Sequence, residues 1–259
     1  MKYFLVDIIN KNPISHWIEF NNIPFQKLYN SKMINSIYHK KYYGVFLYKN
    51  CYFDKNNIKL LDDIPDCFEF EINDSNVHKG NVYTIFSDGG SFNNGYKNPD
   101  KPMLASTSTY IIKNGKEEIW NEKHALDDAT NNFAEVSAGI YGLKYILKKI
   151  CNDEEKPLVI MSSDSQYLMK GINSWLDNWI SRGWKNNEGK PTPNKKEWQF
   201  IKKCLDNDKD FKAILTCWVR GHCKVKGNIF SDYNDKCDIQ CNEALNILLE
   251  KYNLPLRKV

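Results

Sequence analysis

Four acidic side chains stand at places in this 259-residue chain where the pattern of a strand ends or that of a helix begins. Asp88 follows the apolar run VYTIF (82–86) and precedes Gly89 and Gly90, which permit a sharp turn and close approach of a ligand to the backbone. Glu135 falls in the predicted first turn of a long helix, Asp164 follows the apolar run LVIM (158–161), and Asp238 lies early in a closing helix. Each alone reads as a solvated carboxylate or a turn residue. Gathered at one edge of a sheet they would repel one another: two unit charges roughly 4 Å apart cost about 4 kcal/mol at an effective dielectric of about 20. Such a group persists where hard cations neutralise it, and oxygen ligands select Mg²⁺ or Mn²⁺. Two divalent ions would balance four carboxylates.

The elements that must position them follow from the hydrophobic pattern. Residues 82–86 form a short apolar strand, STSTYII (106–112) a second, and the stretch around residues 117–120 a third across the Asn114-Gly115 turn signal. A helix is predicted from near Asn132, with Val136, Ile140, Leu143, Leu147 and Ile150 on one face and Thr130, Asn131 and Asn132 as N-cap candidates. LVIM (158–161) and ILTCWV (214–219) are strands, and a closing helix runs from about Asp232 to Lys251, burying Cys237, Cys241, Leu245 and Leu248. Three strands, a helix, a strand, helices, a strand and a helix describe an α/β fold: one mixed five-stranded sheet flanked by helices. Residues 1–78 read as a small N-terminal α+β extension, with β-like runs at 42–53 and 67–72, turns at 61–66 and a linker at 73–80; residues 79–259 form the remaining domain.

Composition narrows the function classes. With 42% apolar residues the chain is too hydrophobic for disorder, and no stretch approaches the 18 or so apolar residues of a membrane span. The N-terminus lacks a small-residue cleavage site, so an intracellular protein without a secretory signal is expected. A net charge of +4 does not by itself indicate a polyanionic partner. Nor does it mark the first 80 residues as an anchor, since they hold ten Lys against nine Asp or Glu. Eight cysteines without a CxxC pair read as small buried hydrophobes in a reducing compartment. His222, Cys223, Cys237 and Cys241 are the nearest approach to a zinc cluster, but the last two fall on the apolar stripe of the closing helix.

Taken in order, the local sequences resemble type 1 ribonuclease H. FSDGGS (86–91) is similar to the first motif of that family, TNNFAEV (130–136) to the second and SSDSQY (162–167) to the third. WVRGH (218–222), followed by NDKCD (234–238), is similar to the last. WLDNWISRGWK (175–185) resembles the basic, Trp-rich protrusion with which many members grip their substrate. The resemblance spans roughly residues 81–251. It implies hydrolysis of the RNA strand of an RNA–DNA hybrid with two Mg²⁺ (or Mn²⁺) ions, leaving 5′-phosphate and 3′-hydroxyl ends.

The resemblance also implies roles. Asp88, Glu135, Asp164 and Asp238 would be metal ligands, Asp88 bridging both ions, with Asp232 and Asp235 competing for the place given to Asp238. His222 would transfer a proton or assist product release. Asn131, Asn132 and Gln166 would meet base edges and sugars in the minor groove, where the 2′-hydroxyl marks RNA. Thr130 would hold a phosphate of the DNA strand, Gly89 and Gly90 would approach the backbone, and Arg182, Trp184 and Lys185 would make salt-sensitive backbone contacts. Trp175 and Trp179, at i and i+4, divide between core and substrate contact. The glycine-rich stretch usual after the first motif is replaced by SFNNGYKNPDKPM (91–103), which leaves the contacts made there open. A monomer is expected, and residues 1–78 could add a nucleic-acid or protein-binding surface. Two rivals remain: a catalytically silent binding module of the same fold, and a 3′–5′ exonuclease of related architecture, which would carry Asp-x-Glu where this chain has Gly90.

Overall fold

The computed structural model describes residues 81–115, 117–150, 155–207, 209–211, 213–219, 221 and 229–258, together with five strands ahead of residue 61. Those five are β1 (Lys2–Asp7), β2 (Asn12–Glu19), β3 (Gly44–Tyr48), β4 (Cys51–Phe53) and β5 (Ile58–Leu60). Strand β1 pairs antiparallel with β2 and β3, and β4 pairs antiparallel with β5. The β-like run at 42–53 is thus two strands, whereas the run at 67–72, the turns at 61–66 and the linker at 73–80 lie outside the described residues.

The main sheet has five strands in the order β10-β9-β6-β7-β8. These are β6 (Val82–Phe92), β7 (Leu104–Lys113), β8 (Glu117–Asp127), β9 (Leu158–Ser163) and β10 (Ala213–Trp218). β6, β7 and β8 form an antiparallel meander, and β9 and β10 run parallel to β6. Asn114 and Gly115 both adopt positive φ between β7 and β8, which is what the Asn-Gly pair signals. The meander is longer than its apolar runs: β6 continues through Gly89 and Gly90 to Phe92, so Asp88 lies within a strand and the two glycines make no sharp turn. Ladder bonds to β7, from Asp88 with Ser108 to Phe92 with Leu104, hold that extension straight.

Among the described residues the helices are α1 (Asn131–Lys149), α2 (Gln166–Lys170), α3 (Leu176–Ser181), α4 (Lys195–Leu205) and α5 (Ile229–Lys251), with a π-helical turn at Gly171–Trp175 between α2 and α3. Helices α1 and α5 cover opposite faces of the sheet. A Cβ on Gly89 would meet α1 at Glu135, while one on the next residue, Gly90, would meet α5 at Cys241, and neighbouring strand positions point to opposite faces. Both faces of β7 are therefore covered, and Ser106, Thr107, Ser108 and Thr109 are all buried despite their polarity. Thr109 Oγ1 donates to the Ala138 carbonyl of α1 and Ser108 Oγ to Gln240 Oε1 of α5, each 2.8–2.9 Å away.

The apolar stripe of α1 runs through Val136, Ile140 and Leu143 as predicted, but Ile146 rather than Leu147 completes the fully buried face. Thr130 is its N-cap, the hydroxyl accepting the Phe133 N–H at 3.2 Å. Cys237, Cys241, Leu245 and Leu248 are buried on α5, and Cys204, Cys217, Cys237 and Cys241 are free thiols, as the hydrophobe reading requires. No helix among the described residues is long and apolar enough to cross a membrane.

Candidate functional site

Two parallel strands and two helices converge on one end of the sheet. The β6–β9 ladder ends at Phe86 with Ser162. Asp88 and Asp164 each lie two residues beyond it, which places both carboxylates where the strands part. The Gly89 N–H donates to Asp88 Oδ1 at 2.8 Å, and the Cys241 thiol donates to the Asp88 carbonyl at 3.4 Å. Gly89 also lets α1 close on the strand, because a Cβ there would lie 2.5 Å from the Glu135 amide nitrogen and 2.9 Å from the Ala134 carbonyl carbon. That contact brings Glu135 to Asp88. Helix α1 starts at Asn131, so Glu135 opens its second turn rather than sitting in the first.

Asp88, Glu135 and Asp164 each offer an oxygen, and these oxygens lie within 4.8 Å of one another. Asp88 and Glu135 are buried and Asp164 is half-buried. Burial raises the Asp88 carboxyl to about 8, the Asp164 and Asp238 charges push the same way, and the Gly89 N–H bond opposes them. Burial also raises Glu135 well above the usual carboxylate range, reinforced by Asp88 and Asp164 and opposed by hydrogen bonds from Asn131 and Ser165. Asn131 Nδ2 donates to Glu135 Oε1 at 3.3 Å, while Oε2 is buried with no hydrogen-bond partner.

Asp164 is held from three sides. Asn234 Nδ2 of α5 donates to its Oδ2 at 3.3 Å, and Trp218 Nε1 donates to its backbone carbonyl at 3.0 Å. Gly221 leaves room for the carboxylate, since a Cβ there would sit 2.4 Å from Oδ2. Asp238 lies outside the group of three but close enough to act on Asp88, and its Oδ1 accepts from Asn242 Nδ2 at 3.4 Å. Helix α5 begins at Ile229, three residues before the predicted start, so Asp238 is in its third turn. Asp232 is exposed in the first turn and Asp235 is half-buried; of these three candidates on α5, Asp238 is the one whose charge acts on Asp88.

The site fits a hard cation. Its donors are all carboxylate oxygens, one of them an orphaned buried oxygen on Glu135, and both buried acids resist ionising without a compensating positive charge.

The remaining sequence candidates are spread around this centre. Asn131 and Asn132 open α1, and the Asn131 N–H donates to Asn94 Oδ1 at 3.1 Å. Asn94 belongs to the segment replacing the glycine-rich stretch, which is pinned by Asn93 Nδ2 to the carbonyls of Asn98 (2.8 Å) and Lys101 (2.7 Å). Gln166 is exposed, its Oε1 accepting from Lys170 Nζ at 2.7 Å. Trp175, Trp179 and Trp198 pack as a chain of rings 5.8 and 5.3 Å apart, with Tyr167 against Trp198 at 5.5 Å. Trp179, half-buried, packs on the core, and half-buried Trp175 packs on the Trp179 ring. Arg182 and Lys185 are exposed beyond them; Arg182 hydrogen-bonds Asn187, and half-buried Trp184 has a positive φ of 65° with Lys195 over its ring. His222 lies outside the described residues. Asn234 and Gly221 were missed by sequence reasoning, although Asn234 sits one helical turn before Asp238 within a motif already singled out.

Residues 80–245 match the ribonuclease H family. A ribonuclease H of Pseudomonas entomophila is 37% identical over 122 residues, covering 47% of this chain and 73% of its own length. One from Lachnoclostridium phytofermentans is 35% identical over 163 residues, covering 62% of this chain and 90% of its own. The solution structure of the PFV RNase H domain superposes with a TM-score of 0.50 at 24% identity, over 64% of this chain and 94% of that domain, and shares the fold.

Proposed function

The chain belongs to the type 1 ribonuclease H family, and on that premise we propose that it cleaves the RNA strand of RNA–DNA hybrids endonucleolytically, leaving 5′-phosphate and 3′-hydroxyl ends. The observation that carries this reading is the convergence of Asp88, Glu135 and Asp164 to within 4.8 Å in a buried, all-oxygen setting. Together with Asp238 they would hold two Mg²⁺ ions, or Mn²⁺ in their place. Bound there, the ions would supply a nucleophilic water and neutralise charge on the phosphate and its leaving oxygen.

The chain's own residues orient the substrate around that centre. Asn131 and Asn132, at the exposed start of α1, and Gln166, at the start of α2, read base edges and sugars in the minor groove. Thr130 holds a phosphate of the DNA strand through groups its cap bond leaves free, and Gly89 and Gly90 line the approach. Arg182, Trp184 and Lys185 grip the backbone from the protrusion. His222 moves a proton at the scissile phosphate or assists product release, so its loss should slow turnover less than loss of a carboxylate. Residues 1–78 would add a surface for nucleic acid or a protein partner, and the enzyme acts inside the cell as a monomer.

A labelled hybrid incubated with Mg²⁺ should lose its RNA strand alone, and chelator should stop the reaction. An intact RNA strand with wild-type protein, or full activity in Asp164→Asn, would refute the proposal.

A further inference from the structure

The residues after α5 fold back along that helix to reach β6. Beyond α5, Leu254 packs on the apolar cluster of Leu104, Leu245, Leu248 and Leu249. Asn246 then grips the backbone of Arg257 from both sides: its Oδ1 accepts the Arg257 N–H at 2.8 Å and its Nδ2 donates to the Arg257 carbonyl at 3.0 Å. Fixed in this way, the guanidinium forks. One nitrogen donates to Asn242 Oδ1 at 3.3 Å and the other to the Ser91 carbonyl on β6.

We infer that Arg257 is a positioning residue for Asp238, acting through Asn242. A guanidinium only donates, so the Asn242 amide must turn its oxygen toward Arg257 and its NH₂ away from it. That NH₂ is the group that donates to Asp238 Oδ1 at 3.4 Å, one turn back along α5. The amide orientation, otherwise free to flip, is set by Arg257, and with it the hydrogen bond that Asp238 Oδ1 accepts. The Ser91 bond adds a second constraint, because Ser91 lies three residues beyond Asp88 on the same strand. Arg257 thus ties the helix bearing Asp238 to the strand bearing Asp88. The inference rests on the proposed role of Asp238 beside a bound divalent ion.

The test titrates Mg²⁺ into the hybrid-free, full-length protein by calorimetry and follows the Asn242 side-chain amide by NMR, alongside kcat, KM and Tm. Arg257→Ala should weaken Mg²⁺ binding and lower kcat by about threefold, less than the roughly tenfold of a direct hydrogen-bond partner of a metal ligand, because Arg257 acts through Asn242. KM for the hybrid should stay unchanged, and the Asn242 amide signals should move. Arg257→Lys, which reaches one acceptor at a time, should recover part of the loss. Leu254→Ala, which loosens the tail but keeps the guanidinium, should lower Tm with a smaller effect on Mg²⁺. Wild-type Mg²⁺ binding and kcat in Arg257→Ala would overturn the assignment, as would an equal loss in Leu254→Ala at matched Tm. Arg257-dependent Mg²⁺ binding in a protein that leaves hybrids intact would uphold the relay while removing the proposed activity.

Discussion

Asp88 and Asp164 occupy equivalent positions, each two residues past Phe86 with Ser162, the last ladder pair of the parallel strands β6 and β9. Had the ladder continued in register the two acids would be side-by-side partners. Instead, β9 ends at Ser163 while β6 runs on against β7, and the carboxylates are left at the mouth of the gap. The repulsion between them is built into the fold. Replacing Asp88 by Asn should abolish hybrid cleavage yet raise the metal-free Tm by about 2–4 °C, the shift expected for roughly 1 kcal/mol in a domain of this size. Thermal melts in chelator check this, and a lower Tm for Asp88→Asn would show that the like charges carry no cost.

The pH response follows from the same burial. The Asp88 carboxyl ordinarily titrates near 3.8 and is raised to about 8 in the folded protein, and Glu135 moves in the same direction. The folded state therefore binds more protons than the unfolded state across that interval. The associated stability is fully present below the unfolded value and is lost as pH rises through the folded one. The metal-free Tm should fall between about pH 4 and pH 8, while Mg²⁺ affinity rises over the same window as binding releases protons. Melts in chelator at several pH values, paired with Mg²⁺ calorimetry in buffers of different ionisation enthalpy, measure both.

Gly89 and Gly90 should respond differently to the same substitution. A methyl on Gly89 meets backbone atoms of α1, with the Glu135 nitrogen 2.5 Å away, and backbone at a helix start cannot step aside cheaply. Gly89→Ala should cost about 1–3 kcal/mol, as overpacking does, and push Glu135 away from Asp88, so that Mg²⁺ binding is lost with the stability. A methyl on Gly90 meets the Ser106 hydroxyl at 2.7 Å, a side-chain atom that can rotate. Gly90→Ala should therefore keep most of the Mg²⁺ affinity. Denaturant melts and calorimetry on both variants separate the two cases.

How far the sequence reveals the site depends on the range of the interaction that places each residue. Asp88, Asp164 and Glu135 sit beside apolar runs whose lengths and periods expose the elements carrying them, and the resemblance of their motifs to ribonuclease H implied that they meet. The full extent of β8 was not, because EEIWNEKHALD lies at the sheet edge with most of its side chains exposed or half-buried and shows little apolar period beyond Trp120. The position of Asp238 in the third turn was missed although Phe230 lies seven residues before Cys237, in phase with the buried stripe of Cys237, Cys241, Leu245 and Leu248. Asn234 and Arg257 act through side chains 70 and 15 residues from their partners Asp164 and Asn242, contacts that only the assembled fold creates. Gly171 likewise answers a tertiary demand, since the Trp198 ring lies where a Cβ on it would be.

The protrusion divides into a part that holds itself together and a part that faces outward, and the two should be separable. Trp198 is fully buried, tilted against Trp179 and edge-on to Tyr167, and its indole N–H donates to the Tyr167 hydroxyl at 3.2 Å. Trp198→Ala should cost about 3–5 kcal/mol of stability, as removal of a buried tryptophan does. Arg182 and Lys185 stand on the exposed turn that follows α3, beyond that aromatic support. Replacing either by Ala should leave Tm unchanged, weaken hybrid binding whatever the sequence, and reduce the slope of log K against log salt by about 1, the loss of one phosphate contact. Fluorescence anisotropy over a salt series, with Ca²⁺ in place of Mg²⁺, reads that slope. An unchanged slope for both variants would move the backbone grip away from this turn.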